Sequence, residues 1–144
     1  MRYVFDDGGR SAAGFKGRSG DCVCRSIAIV TGKPYLEVYQ EINAIAQTER
    51  PNSKRRKGKR SSARDGVFKA TMHRYLKDLG YQWVPTMKIG QGCKVHMRQD
   101  ELPPGRLIVN LSKHTTAVID GVIHDTHDCS RDGTRCVYGY FVKA

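Results

Sequence analysis

Apolar residues recur at two different periods along this chain, and the change falls at Gly80. Before it, Val23, Cys24, Ile27, Ala28, Ile29 and Val30 form a dense apolar segment. Asp21 in front of that segment is a candidate N-cap, and Gly32 after it suits a left-handed stop, so the pattern predicts a helix over 22–31. Pro34 then suits the first turn of a second helix. Tyr35, Leu36, Val38, Tyr39, Ile42, Ile45 and Ala46 fall at three- and four-residue spacing, which lays one apolar stripe along it. A third helix is expected from Asp65 to Leu79, with Val67, Phe68, Met72, Tyr75, Leu76 and Leu79 on one face and Gly80 closing it.

After Gly80 the runs are short and strand-like. Tyr81–Val84, Arg106–Leu111, Thr115–Ile119, Val122–Asp125 and Cys136–Val142 are the expected strands, with Ile89–Cys93 and 126–135 as loops. Val95–Leu102 is ambiguous. Residues 1–20 are rich in Gly, Ser and Arg, with one short candidate strand at Tyr3–Phe5. Helices first and an antiparallel sheet second describe an α+β domain, and 144 residues suffice for one domain with a core of its own.

Asp120-Gly121 is a two-residue hairpin signal, and it fixes a register. Ile119 then faces Val122, Ala117 faces His124, and Thr116 faces Asp125. His114 lies two residues from Thr116, so His114 and Asp125 share a face and come within reach diagonally, while His124 turns away. Cys22 sits at a helix start, where the positive end of the dipole favours thiolate. A thiol, a base to take its proton and a carboxylate to hold that base form the arrangement of nucleophilic catalysis. Cys24, two residues on, points elsewhere and is expected in the core.

Asp21-Cys22 at a helix start, His114 opening a strand and Asp125 on the next strand resemble the papain-like cysteine peptidases, most nearly the small bacterial double-glycine peptidases that trim bacteriocin leaders. The resemblance covers the helix around Cys22 and the stretch from Leu107 to Asp125. It implies a papain-like fold, with Cys22 as nucleophile, His114 as general base and Asp125 as the residue orienting it. It implies a peptide or protein substrate, cleavage of a peptide, isopeptide or related amide bond, and no metal or organic cofactor. Val23 stands where the family usually has Gly, and Lys16 where it has the oxyanion glutamine. The Cys22 N–H is one oxyanion donor; Lys16 and Arg18 are weak candidates for the second.

Charge adds an alternative. The net charge is +11, and residues 50–64 hold eight of the 25 basic residues and no acid. The other 17 face 14 acidic residues, so the body is only mildly basic. This segment reads as a mobile loop with little to bury. Lys54, Arg55, Arg56, Lys57, Lys59 and Arg60 give a possible nucleic-acid contact, for an inactive domain that binds phosphate backbones. Five cysteines and no apolar leader point to reduced thiols and a cytoplasmic setting. No segment is apolar enough to span a membrane. The spacing of His124, His127, Cys129 and Cys136 matches no common zinc site.

Overall fold

A computed structural model describes residues 1–49 and 60–144. It is an α+β fold in which three helices pack on a six-stranded sheet. The elements run β1 (Arg2–Phe5), α1 (Cys22–Thr31), α2 (Tyr35–Gln47), α3 (Lys69–Asp78), β2 (Tyr81–Pro85), β3 (Arg106–Leu111), β4 (His114–Ile119), β5 (Val122–Asp125) and β6 (Gly139–Lys143). The sheet order is β1-β5-β4-β3-β6-β2.

The first helix spans the expected residues, and Gly32 closes it at φ 75° with its N–H on Ala28 O. Val23 through Val30 are all buried. A helix that is mostly apolar around its circumference belongs inside, and α1 accordingly lies on β4 and against α2. Asp21 departs from expectation: its carboxylate caps no helix N–H, because a buried guanidinium and a tyrosine hydroxyl claim it instead. The third helix begins at Lys69, four residues later than its apolar pattern suggests. Residues 61–67 instead close a tight turn through paired backbone bonds between Ser62 and Gly66. Ser61 and Ala63 there are buried, so this end of the basic stretch does pack.

The hairpin has the expected register: Ile119 opposite Val122 and Ala117 opposite His124. Asp120 and Gly121 have φ of 48° and 78°, as a two-residue turn with two left-handed positions requires. Two differences mark the sheet. β1 pairs in parallel with β5, so the sheet is mixed rather than wholly antiparallel. The last strand begins at Gly139, because Cys136 and Val137 turn aside to bond the 95–97 segment.

The sheet is apolar on both faces. Ile108, Ala117 and Phe141 meet the helices. Leu107, Val109, Val118 and Ile123 meet Met97, Leu102, Cys129 and Val137 from the irregular segments beyond. Cys93 and Cys136 form a disulfide that ties those segments together, which corrects the expectation of five reduced thiols. An odd count conceals one pair as readily as none. Among the described residues, no helix is long and apolar enough to cross a membrane.

Candidate active site

Cys22 is the first residue of α1 and His114 the first residue of β4. His114 follows directly on a two-residue turn, Ser112-Lys113, with Lys113 left-handed at φ 55°. A strand end and a helix start therefore converge. The Ser26 hydroxyl pins them, 2.6 Å from Cys22 O and 3.1 Å from Thr115 O.

The ring of His114 is held from behind. Its Nε2 donates to Asp125 Oδ2 at 2.7 Å, which leaves Nδ1 for a second partner. Asp125 is buried, and it accepts from Thr116 Oγ1 at 2.7 Å, the Thr126 N–H at 2.6 Å and Arg25 Nη2 at 3.2 Å. Burial alone would raise its pKa, but His114 and the threonine donors hold it well below the usual carboxylate range. Burial likewise works against charge on His114, yet Asp125, Cys129 and Cys22 together push it up to about 11. For Cys22, burial raises the thiol while His114, the Thr115 N–H and the Arg25 charge lower it; the net effect is a thiol below its ordinary value. Cys24 shows the contrast. It is fully buried with no imidazole beside it, and burial outweighs Tyr35 and the Arg25 charge to push its thiol up to about 12.

Sequence reasoning brought Cys22, His114 and Asp125 forward, and the fold gathers them. It missed Arg25. This buried guanidinium joins Asp21 Oδ1 at 2.5 Å and Asp125 Oδ1 at 3.2 Å. Asp21 also accepts from Tyr35 Oη at 2.7 Å. A continuous polar chain thus runs Asp21–Arg25–Asp125–His114. The signal lay in the Asp21/Arg25 spacing of four residues within an otherwise apolar helix. Cys129, buried against the same imidazole, entered the sequence reading only among the zinc candidates.

Cys22 and His114 open onto a groove of about 600 Å³. Val23, Met72 and Trp83 form apolar wall, with Asn110, Lys69 and Lys113 also lining it. Lys16 is not in this groove; it is exposed and lines a different cavity. Arg18 is exposed and lines neither. Lys54, Arg55, Arg56, Lys57 and Lys59 lie outside the described residues. Arg60 is exposed, its Nε donating to Glu49 O at 3.2 Å.

His114, Asp125 and His127 bring three potential ligand atoms within 4.8 Å of one another. The arrangement does not suit a cation. Asp125 already accepts from four groups, one of them the Arg25 guanidinium, and His114 carries its own positive charge. Of the sequence's zinc candidates, Cys136 is spent in the disulfide and His124 turns toward Asp6, 3.8 Å away.

The fold and site define a class: an α+β protein with a cysteine, a histidine and an aspartate in series at a groove. Comparison with protein-family models, with curated proteins and with solved structures finds no match to this chain.

Proposed function

We propose that this protein is a papain-like thiol hydrolase that cleaves a peptide, isopeptide or related amide bond. The observation that carries the reading is geometric: Cys22 at the start of α1 and His114, its Nε2 2.7 Å from Asp125 Oδ2, meet at one groove, and their surroundings lower the thiol and raise the imidazole. Groups whose environments drive their pKa values in opposite directions mark acid–base assignments.

The chemistry follows from the pair. Cys22 Sγ attacks the carbonyl carbon, and a C–S bond forms as the carbonyl oxygen takes up negative charge. The Cys22 N–H, at the first position of α1, has no intrahelical acceptor and serves as a donor to that charge. The groove wall supplies another neutral donor: Asn110 Oδ1 accepts from Thr115 Oγ1 at 3.3 Å, which leaves the side-chain nitrogen for the groove. The His114 imidazolium gives its proton to the leaving nitrogen as the C–N bond breaks. Neutral His114 then takes a proton from water, whose oxygen displaces sulfur from the thioester and releases the acid. Asp125 holds the imidazole in orientation throughout.

The test is an electrophilic peptide ketone followed by mass spectrometry of the intact protein and its fragments. The reading expects one adduct, at Cys22, abolished in C22A, strongly reduced in H114A and retained in C24A. Adducts spread evenly over the free cysteines, or unchanged in H114A, overturn it.

A further inference from the structure

A second cavity, about 260 Å³, lies beside the first. Ser19-Gly20 and Arg64-Asp65 separate the two, joined by a bond of 2.7 Å from Gly20 N–H to Arg64 O; Ser19 and Arg64 line the second cavity, Gly20 and Asp65 the first. Substitution cannot thicken this partition, since a Cβ on Gly20 would stand 2.9 Å from Asp65 O.

Three cations line the second cavity, Arg10, Lys16 and Arg64, and three aromatic rings, Phe15, Tyr35 and Tyr39. Arg10 is fixed in place: Nη2 donates to Lys16 O at 3.1 Å and Gly17 O at 2.9 Å. Its Nε lies 3.6 Å from Asp21, a carboxylate already engaged by Arg25, Ser19 and Tyr35. Among the described residues, no acid pairs with Lys16 or Arg64. Lys16 and Arg64 thus add positive charge beside Arg10 with no acid of their own, which is unfavourable, and an anion relieves it. An arginine held rigidly, with a lysine and a second arginine beside it, suits the several oxygens of a phosphate. Phe15 and Tyr39, with centroids 4.7 Å apart, form an aromatic wall, backed by the buried Tyr35, 5.3 Å from Phe15. Such a wall takes a flat ring by stacking or edge contact. The volume falls just below the range of drug-sized pockets, roughly 300–1,000 Å³, and so suits a single small ligand rather than a polymer.

We propose that this cavity binds a phosphate monoester carried on an aromatic ring system, the chemistry of a nucleoside monophosphate. The site is independent of the hydrolase reading and stands or falls separately.

Isothermal titration of the full chain with adenosine 5′-monophosphate, with inorganic phosphate and with adenosine tests it. The monophosphate binds one to one, and each part alone binds at least about tenfold more weakly, since both the charged and the ring contacts are needed. Lys16→Ala and Arg64→Ala each lower affinity by about tenfold and flatten its salt dependence, as expected for lost charge-assisted bonds. Both side chains are exposed, so these variants keep the fold. In NMR spectra the ring signals of Phe15, Tyr35 and Tyr39 shift with ligand. Equal binding of monophosphate and inorganic phosphate, indifference to both substitutions, or shifts confined to residues 50–64 overturn the proposal. So does an unphosphorylated oligonucleotide that displaces the monophosphate at lower concentration, which assigns the surface to nucleic-acid backbone.

Discussion

Replacing His114 with alanine should convert Cys22 from an activated thiol to an inert one, and the neighbouring cysteine indicates by how much. In the native site His114, Thr115 and Arg25 overcome burial and bring Cys22 below its ordinary value of 9.0. Without the imidazole, burial remains and the largest opposing influence is gone. The thiol then moves toward the state of Cys24, on the same helix, which burial pushes up to about 12. Each unit of that rise cuts the thiolate population tenfold, but the remaining thiolate becomes a better nucleophile. With a Brønsted coefficient of about 0.4–0.5, the net loss is roughly three- to fourfold per unit. A rise of three units would lower labelling at neutral pH by roughly 30- to 60-fold, and a rise of one unit by roughly three- to fourfold. The assay is timed iodoacetamide labelling between pH 5 and 10, quenched and read peptide by peptide. Cys24 and Cys129 serve as buried internal controls. Wild-type Cys22 should label at lower pH than an ordinary thiol, and H114A should require higher pH. Identical pH profiles for wild type and H114A would refute the reasoning, because they would mean that the imidazole does not act on the sulfur.

Arg25→Met leaves Asp21 and Asp125 buried without their shared cation, so urea denaturation should show a loss of about 3–5 kcal/mol; a loss under about 1 kcal/mol contradicts the buried network. Asp125 has its pKa depressed in the fold, so its contribution is complete above its ordinary value of 3.8 and is lost as pH falls below that. The stability gap between wild type and Asp125→Asn should therefore narrow on acidification below pH 3.8, and a constant gap argues against the shift. His114 has the opposite sign: its contribution is complete below 6.5 and is lost as pH rises toward about 11. Cys22, ionised in the fold at lower pH than outside it, offsets that loss up to 9.0. Cys22→Ala removes the offset, so its stability should fall more steeply than wild type's between pH 6.5 and 9.0, as unfolding at three pH values can establish. Cys93→Ser with Cys136→Ser opens a link across 43 residues and should cost roughly 2–4 kcal/mol, while leaving the rate of Cys22 labelling unchanged.

Most of the fold that positions the site was legible because it rests on local signals. Asp120-Gly121 dictates a turn, and from that turn the relation of His114 to Asp125 follows by counting along two strands. Gly32 likewise ends α1 where the pattern says it should. What stayed hidden depends on distant partners. Nothing near Tyr3 specifies that β1 joins β5 in parallel, since the two lie about a whole chain apart. Cys93 and Cys136 have no local motif, and their pairing arises from the crossing of two irregular segments over the second sheet face. Lys16, placed by analogy at the oxyanion position, lies across the Ser19-Gly20 partition because the chain before Cys22 folds back around Arg10. Residues 50–59, where most of the basic run falls, lie outside the described structure.

The polar chain through Arg25 bears on whether the site is structural or functional. Two carboxylates and a guanidinium are buried at the start of a helix whose other residues are almost all apolar. Removing charges from water costs several kcal/mol each, and well-packed apolar residues in their place are often as stable or more so. Stability alone therefore gives little reason to retain them. The reason supplied by the geometry is positional. Asp125 fixes the imidazole through one oxygen and receives Arg25 through the other, while Arg25 reaches back one helical turn to Asp21, the residue before Cys22. The backbone before Cys22 and the orientation of the His114 ring are thereby set by one guanidinium. A motion that separates Cys22 from His114 must break a buried charge pair, so the alignment that the proposed hydrolysis requires is built into the folded chain.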